Sequence, residues 1–229
     1  MNKFLSIIPA RIGSKGIPKK NLYPFHKKPL IEWTIEASLN SKYIDKTIVS
    51  SDSNEVLNLD LNLSFCRHKR SKKLSNDSAR SEDIVINILD EETSLNDYEY
   101  LIFLQPTSPL RTTSHIDSAC AKIIKNNTDS LMTVREISNG VLKTFIHDGK
   151  DGLRAGFDKE FPFMPRQELP KAFMPNGAIY ITRIESFIEN KSFMSKNNSF
   201  MVMDGNSSID IDNLDDIRHA ESVSNFKKS

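Results

Sequence analysis

Short apolar runs alternate with longer amphipathic ones along most of the chain, and this rhythm constrains the fold more than any other feature. A strand buried on both faces reads as a continuous apolar run. A helix lying over such a sheet shows apolar residues three or four positions apart. Their alternation predicts βαβ units around a mainly parallel sheet, an α/β architecture. Strands are expected at Phe4–Ile8, Thr47–Ser51, Leu63–Cys66, Tyr100–Leu104, Ser130–Val134, Ala178–Ile181 and Phe200–Met203, the third being the weakest signal. Helices are expected after Pro29, with Leu30, Trp33, Ile35 and Leu39 on one broad face, and from near Ser81, where Glu82 and Asp83 suit the positive helix end. Two more are expected over about 114–125 and Leu214–Val223.

The stretch from Gly140 to about Phe173 breaks the pattern. It is rich in Gly, Pro, Phe and charge without a helical period, so it reads as a hairpin arm at about 140–175 inserted into a single domain spanning 1–229. The fold class expected is therefore a Rossmann-like three-layer sandwich carrying a small inserted arm. Apolar residues make up 38% and charged residues 27% of the 229, which fits a folded core rather than disorder. A net charge of +1 supplies no global field for nucleic acid or an anionic membrane, so any anion site must be local. Cys66 and Cys120 lack metal-type spacing, Pro9 and Arg11 cut short the first apolar run, and no later stretch suits a bilayer span. A cytoplasmic protein with reduced thiols is expected.

The first strand runs directly into Arg11-Ile12-Gly13-Ser14-Lys15-Gly16, continuing to Lys19-Lys20-Asn21. Ligands of open α/β sheets bind where strands turn into helices, and glycines let backbone N–H groups approach an anion. Arg11, Lys15, Lys19 and Lys20 are cations able to offset a triphosphate. The pattern is neither a Walker A loop nor a dinucleotide fingerprint, which disfavours a kinase. A solvated lysine-rich loop is the alternative, and the strand-end position favours the phosphate site.

Near the other end, Ile209-Asp210-Ile211-Asp212 alternates apolar and acidic residues, so in an extended segment both carboxylates face one side. Two adjacent oxygen ligands suit Mg²⁺ completed by substrate phosphates. An acidic turn capping the next helix, with Asp212 as N-cap, is the alternative reading. The histidines His26, His68, His115, His147 and His219 show no metal or catalytic spacing, and surface or core roles are expected for all five.

Four segments together carry a family likeness: IPARIGSKGIPKKN at the head, QPTSPLR at Gln105–Arg111, PRQELPKAFMPNGAIYI at Pro165–Ile181 and SIDID at Ser208–Asp212. In order and spacing the chain resembles the bacterial N-acylneuraminate cytidylyltransferases. The resemblance implies that CTP and a sialic acid-type sugar give the CMP-sugar and pyrophosphate, with Mg²⁺ on Asp210 and Asp212. It puts Arg11, Ser14, Lys15, Lys20, Asn21, Arg70, Ala79 and Ser81 at the nucleotide, with Arg70 and Ser81 on the base. Arg11 and Lys20 join the aspartates in catalysis.

For the nine-carbon acidic sugar, the same likeness implies Gln105 at the acceptor, Arg166 as bidentate partner of its carboxylate, and Lys143 as a second cation. Asn176 and Tyr180 are expected at its hydroxyl and acyl groups, and Phe193 as an apolar wall. A core role is the equal alternative for Tyr180, an ordinary helix N-terminus for 77–81, and a structural role for Arg111. The basic run Arg67–Lys73 leaves the base-contacting arginine open. Family members form homodimers through the arm. Met194 and Met174 depart from the family pattern, which affects sugar choice rather than the reaction. Legionaminate, pseudaminate or another nonulosonate is the alternative acceptor, and a non-catalytic nucleotide-binding module the distant alternative.

Overall fold

The computed structural model describes residues 2–76 and 78–224. In chain order its strands are β1 (Phe4–Pro9), β2 (Pro24–Phe25), β3 (Lys28–Pro29), β4 (Ile44–Ser51), β5 (Cys66–Lys69), β6 (Tyr100–Phe103), β7 (Ser130–Ile137), β8 (Phe145–His147), β9 (Leu153–Ala155), β10 (Ala172–Arg183) and β11 (Asn198–Val202). The helices are α1 (Leu30–Leu39), α2 (Asn54–Leu57), α3 (Ser81–Glu91), α4 (Thr113–Asn126), α5 (Ile184–Asn190) and α6 (Leu214–Val223). Seven strands form the central sheet in the order β11-β7-β10-β6-β1-β4-β5. Only β10 runs against its neighbours; the other pairings are parallel.

Side-chain alternation builds three layers. On β1, Phe4 and Ile8 meet the core beneath α1 and α4, while Leu5 and Ile7 meet the core beneath α3 and α5. β6 divides in the same way, Tyr100 and Ile102 to one face and Leu101 and Phe103 to the other. Phe4 stacks on Tyr100 with ring centroids 4.8 Å apart, joining the two central strands. Thr112 caps α4 by accepting from the His115 amide, and Asn213 caps α6 by accepting from the amides of Asp215 and Asp216.

The α/β expectation holds, with three adjustments. The third strand lies later than expected, at Cys66–Lys69, because Leu63 packs on the core from a loop and the ladder to β4 begins at Ile48↔Cys66. The segment Ala178–Ile181 proves to be part of a twelve-residue antiparallel strand, β10, whose register shifts between Pro175 and Tyr180. The short helix α5 had no expectation attached. Within 140–171 the regular structure is the β8–β9 hairpin and three 3₁₀ turns.

After β1 the chain moves outward to β4 and β5, then returns to the other side of β1 as β6. The sheet therefore has a switch point between β1 and β6, and a crevice opens beyond their carboxyl ends. Phe4 is fully buried on the seam below it. Phe4→Ala is expected to lower the unfolding free energy by about 3–5 kcal/mol, a loss read by urea denaturation. A change below about 1 kcal/mol would mean that the central strands do not depend on this ring pair.

Candidate active site

The crevice at the switch point is a cleft of about 410 Å³. Arg11, Ser14, Lys15, Lys20 and Asn21 line it from the head of the chain, and Asp210 and Asp212 from the tail. Gly16 lets these segments meet. A Cβ at that position would lie 2.0 Å from the Asp212 carbonyl oxygen, so any larger residue would drive the two loops apart. Lys20 closes the junction, its ammonium donating to the Ile211 carbonyl at 2.6 Å and to Asp212 Oδ1 at 3.1 Å. Because the Asp212 side chain is 76% exposed, the ion pair adds little stability; its value lies in where it holds the lysine.

Each loop is pinned to the sheet. The Ala10 amide donates to the Ser50 carbonyl and the Ile12 amide to Asp52 Oδ1 (2.8 and 2.9 Å). Asn21 donates to the Arg11 carbonyl at 2.8 Å, so this residue braces the loop as well as facing the cleft. On the acidic side, the Ile211 amide donates to the Thr107 carbonyl, and Asp216 accepts from the amides of both Asp212 and Asn213. Asn213 rather than Asp212 is the N-cap of α6, which leaves the Asp212 carboxylate facing the cleft. Lys19 does not join the cradle as expected. It takes a left-handed backbone (φ 52°) and turns away to an ion pair with Glu55.

Asp210 keeps access to solvent, yet the protein packed around its carboxyl partly desolvates it and pushes it above the usual range. A Thr107 hydrogen bond and Lys20 work against the shift, while Asp212 and Asp216 add to it. Two carboxylates lining one cleft, Asp210 and Asp212, are a donor set that fits a hard divalent cation such as Mg²⁺. Among the described residues no group of three or more acidic, His or Cys side chains offers a fuller cage.

Arg70, Ala79 and Ser81 line the opposite wall. The choice among the basic residues falls on Arg70, since Arg67 donates to the Leu57 carbonyl and lies over the Phe65 ring. Burial pulls the Arg70 guanidinium down to about 10, with Arg11 adding to the effect and Asp52 opposing it. Asp77, within the expected base-contacting segment, lies outside the described residues.

Gln105 follows β6 and borders the cleft and two adjoining hollows of about 270 and 580 Å³. Gly177 makes room for it: φ is +75°, and a Cβ there would come within 2.7 Å of Gln105 Oε1. Arg111 is buried beneath, donating to the Gln105 and Ala178 carbonyls, its guanidinium pulled down to about 9 by burial. Tyr180 lines both hollows, and Phe193 lines the smaller one while packing on Phe103 and Phe187.

Three expected sugar contacts are placed differently. Asn176 borders the larger hollow beside Tyr180, as expected, but its polar atoms are taken: its amide donates to Ser208 Oγ and Met203 Sδ and its oxygen accepts from Thr133. It therefore props the aspartate loop against the sheet and has no hydrogen left for a sugar hydroxyl. Lys143 and Arg166 sit on 3₁₀ turns between β7 and β10, the Arg166 guanidinium beside Gly140, and neither lines the cleft or the two hollows of its own chain. Sequence reasoning missed Thr107 and Ser50, whose contacts join residues far apart in the chain, Asp216, which braces the turn into α6, and also Arg135 and His219 on the larger hollow.

A family model described as Cytidylyltransferase matches residues 5–155. The N-acylneuraminate cytidylyltransferase of Streptococcus agalactiae serotype III is 34% identical over 95% of this chain and 52% of its own length. This chain thus spans about half of that relative. The pseudaminic acid cytidylyltransferase of Campylobacter jejuni serotype O:2 is 32% identical over 96% of this chain and 95% of its own. A solved CMP:2-keto-3-deoxy-manno-octonic acid synthetase in complex with CTP has the same fold, with a TM-score of 0.70 at 16% identity over 96% and 98% of the two chains.

The raised Asp210 carboxyl has a consequence for stability. Its folded affinity for a proton exceeds the unfolded one, so the protonated form favours the fold in acid and that gain vanishes as pH rises through the folded value. At neutral pH the ionised group burdens the fold. Asp210→Asn is expected to raise Tm at neutral pH and to lose that advantage in acid, as followed by thermal unfolding. A lower Tm at neutral pH would contradict the charge balance described.

Proposed function

The chain belongs to the cytidylyltransferase family, and from that premise we propose that it transfers CMP from CTP to a nine-carbon acidic sugar of the sialic acid type. The acceptor proposed first is an N-acylneuraminate. The observation that carries this reading is the junction of basic head loop and acidic tail loop at one cleft, closed by Lys20 on Ile211 and Asp212.

In this reaction the anomeric hydroxyl oxygen of the sugar bonds to the α-phosphorus of CTP. The bond from that phosphorus to the bridging oxygen breaks, pyrophosphate departs with the electron pair, and the hydroxyl proton passes to water. Such transfers depend on alignment and charge neutralisation more than on covalent chemistry by the protein. Arg11, Lys15 and Lys20 hold the triphosphate and offset charge on the leaving pyrophosphate. Asp210 and Asp212 would hold Mg²⁺, which would supply charge neutralisation for the phosphates and acidify the attacking hydroxyl. No histidine borders the cleft, so no imidazole base is assigned.

Arg70 and Ser81 receive the cytidine, and Gln105 stands between nucleotide and sugar. The hollow bounded by Tyr180, Phe193 and Pro175 offers the acyl group an apolar wall. Exposed Phe145, Leu153, Phe157 and Phe163 make the arm the most apolar outer surface of the described residues, which supports pairing with a second copy. In that dimer Lys143 and Arg166 serve the partner's sugar site. A cytoplasmic location fits nucleotide chemistry of this kind, and no helix among the described residues is long and apolar enough to cross a membrane. Pseudaminate is the second reading for the acceptor, favoured by the Campylobacter relative matching along nearly the full length of both chains.

Pyrophosphate release, assayed with CTP and a panel of nonulosonic acids, is expected for one sugar class and to require Mg²⁺. Release with none of them, or with UTP equally, would defeat the proposal. Mixing tests the shared site: Arg166→Ala and Asp212→Ala chains, each feeble alone, are expected to regain about a quarter of wild-type activity once reassorted, because half the dimers then hold one intact site. Failure to recover would remove Arg166 from the partner's site.

A further inference from the structure

Behind Arg70 lies a line of buried polar groups that the mechanism above does not use. Arg70 Nε donates to Ser50 Oγ at 3.2 Å, and its Nη2 to the Ser50 carbonyl at 2.7 Å. Ser50 Oγ is 2.9 Å from His68 Nδ1, and His68 Nε2 is 3.1 Å from Glu91 Oε2. Asn87 steadies the other Glu91 oxygen at 2.7 Å. Ser50, His68 and Arg70 have relative exposures of 0, 5 and 4%.

Hydrogen counting gives the line a direction. A guanidinium N–H can only donate, so Ser50 Oγ accepts from Arg70 and its single hydrogen remains for His68. Glu91 Oε2 can only accept, which places a ring hydrogen on His68 Nε2, and in that tautomer Nδ1 accepts the Ser50 hydroxyl hydrogen. Ser50 and His68 are register partners on β4 and β5, so the ladder itself sets their spacing. Glu91 ends the helix whose first residue, Ser81, lines the cleft.

An arginine this deep is ordinarily matched by a carboxylate. Arg70 has no salt bridge among the described residues, and nearby Asp52 accepts from the Ile12 amide. Its Nε and Nη2 are fixed by Ser50, while Nη1 has no hydrogen bond among the described residues and the side chain borders the cleft. The backbone and side chain of one serine thus grip two edges of the fork and aim the third outward.

We propose that Glu91, His68 and Ser50 form a positioning relay that sets the Arg70 guanidinium for the nucleoside of CTP, His68 being a positioning residue for nucleotide affinity. The relay rests on the reading of Arg70 as a nucleotide contact. Removing the imidazole frees the Ser50 hydroxyl to rotate and loosens the Arg70 fork, which weakens CTP binding without touching the reacting phosphorus or the sugar.

The test is steady-state kinetics by pyrophosphate release, varying CTP and sugar separately, with Tm measured in parallel. His68→Leu is expected to raise the CTP KM about tenfold while kcat and the sugar KM stay within about twofold, as for loss of an outer-shell partner. His68→Asn, whose Oδ1 can still accept from Ser50, is expected to recover most of the affinity. Glu91→Ala, at an exposed position that cannot unfold the chain, gives a smaller rise of about threefold and carries the test should the leucine variant not fold. In an Arg70→Gln background, His68→Leu is expected to add nothing. An unchanged CTP KM in His68→Leu, alongside a raised one in Arg70→Gln, overturns the relay and leaves the nucleotide reading standing. An unchanged KM in Arg70→Gln removes that reading and the relay with it. Equal losses in kcat and both KM values, with no rescue by asparagine, make His68 merely structural and likewise overturn the inference.

Discussion

The site depends on how closely the loop after β1 approaches the loop before α6. Gly16 permits contact with the Asp212 carbonyl that any side chain would block. Lys20 then spans the seam, and because its partner carboxylate is exposed, the bond to the Ile211 carbonyl matters more than the charge pair. Everything else described serves to hold these two loops at that separation. Ser50 and Asp52 anchor one, while Thr107, Asn176 and Asp216 anchor the other.

Charge is arranged with the same economy. The cations of the head loop and the carboxylates of the tail loop share one cleft, so each sign limits the cost of the other. Asp210 is nonetheless desolvated beyond what Lys20 offsets, and its proton affinity rises.

Much of this was legible from residues alone, where local chemistry decides. The strand runs at Tyr100–Phe103 and Phe4–Pro9 and the helix Leu214–Val223 follow from apolar period and caps. The gathering of Arg11, Lys15 and Lys20 at one cleft follows from glycines and cations at a strand end. What escaped was decided by partners distant in sequence. Nothing near Asn176 reveals that Thr133 and Ser208 will claim its amide, and nothing near Lys19 reveals Glu55. His68 looked unremarkable because its meaning comes from Ser50 on the next strand and Glu91 on a helix end. Arg166 and Lys143 were expected at the sugar, and both lie on 3₁₀ turns between β7 and β10 that border neither the cleft nor the two hollows of their own chain.

The bond between Lys20 and Ile211 joins residues 191 positions apart. During synthesis on the ribosome, the basic loop emerges first and stays without its acidic counterpart until Ile211 and Asp212 have been made. The central strands can collapse meanwhile, since β1, β4 and β6 all precede Leu104. The two sides of the cleft are therefore joined only after the central strands that separate them in sequence, and a chain cut before Ile211 would lack that junction.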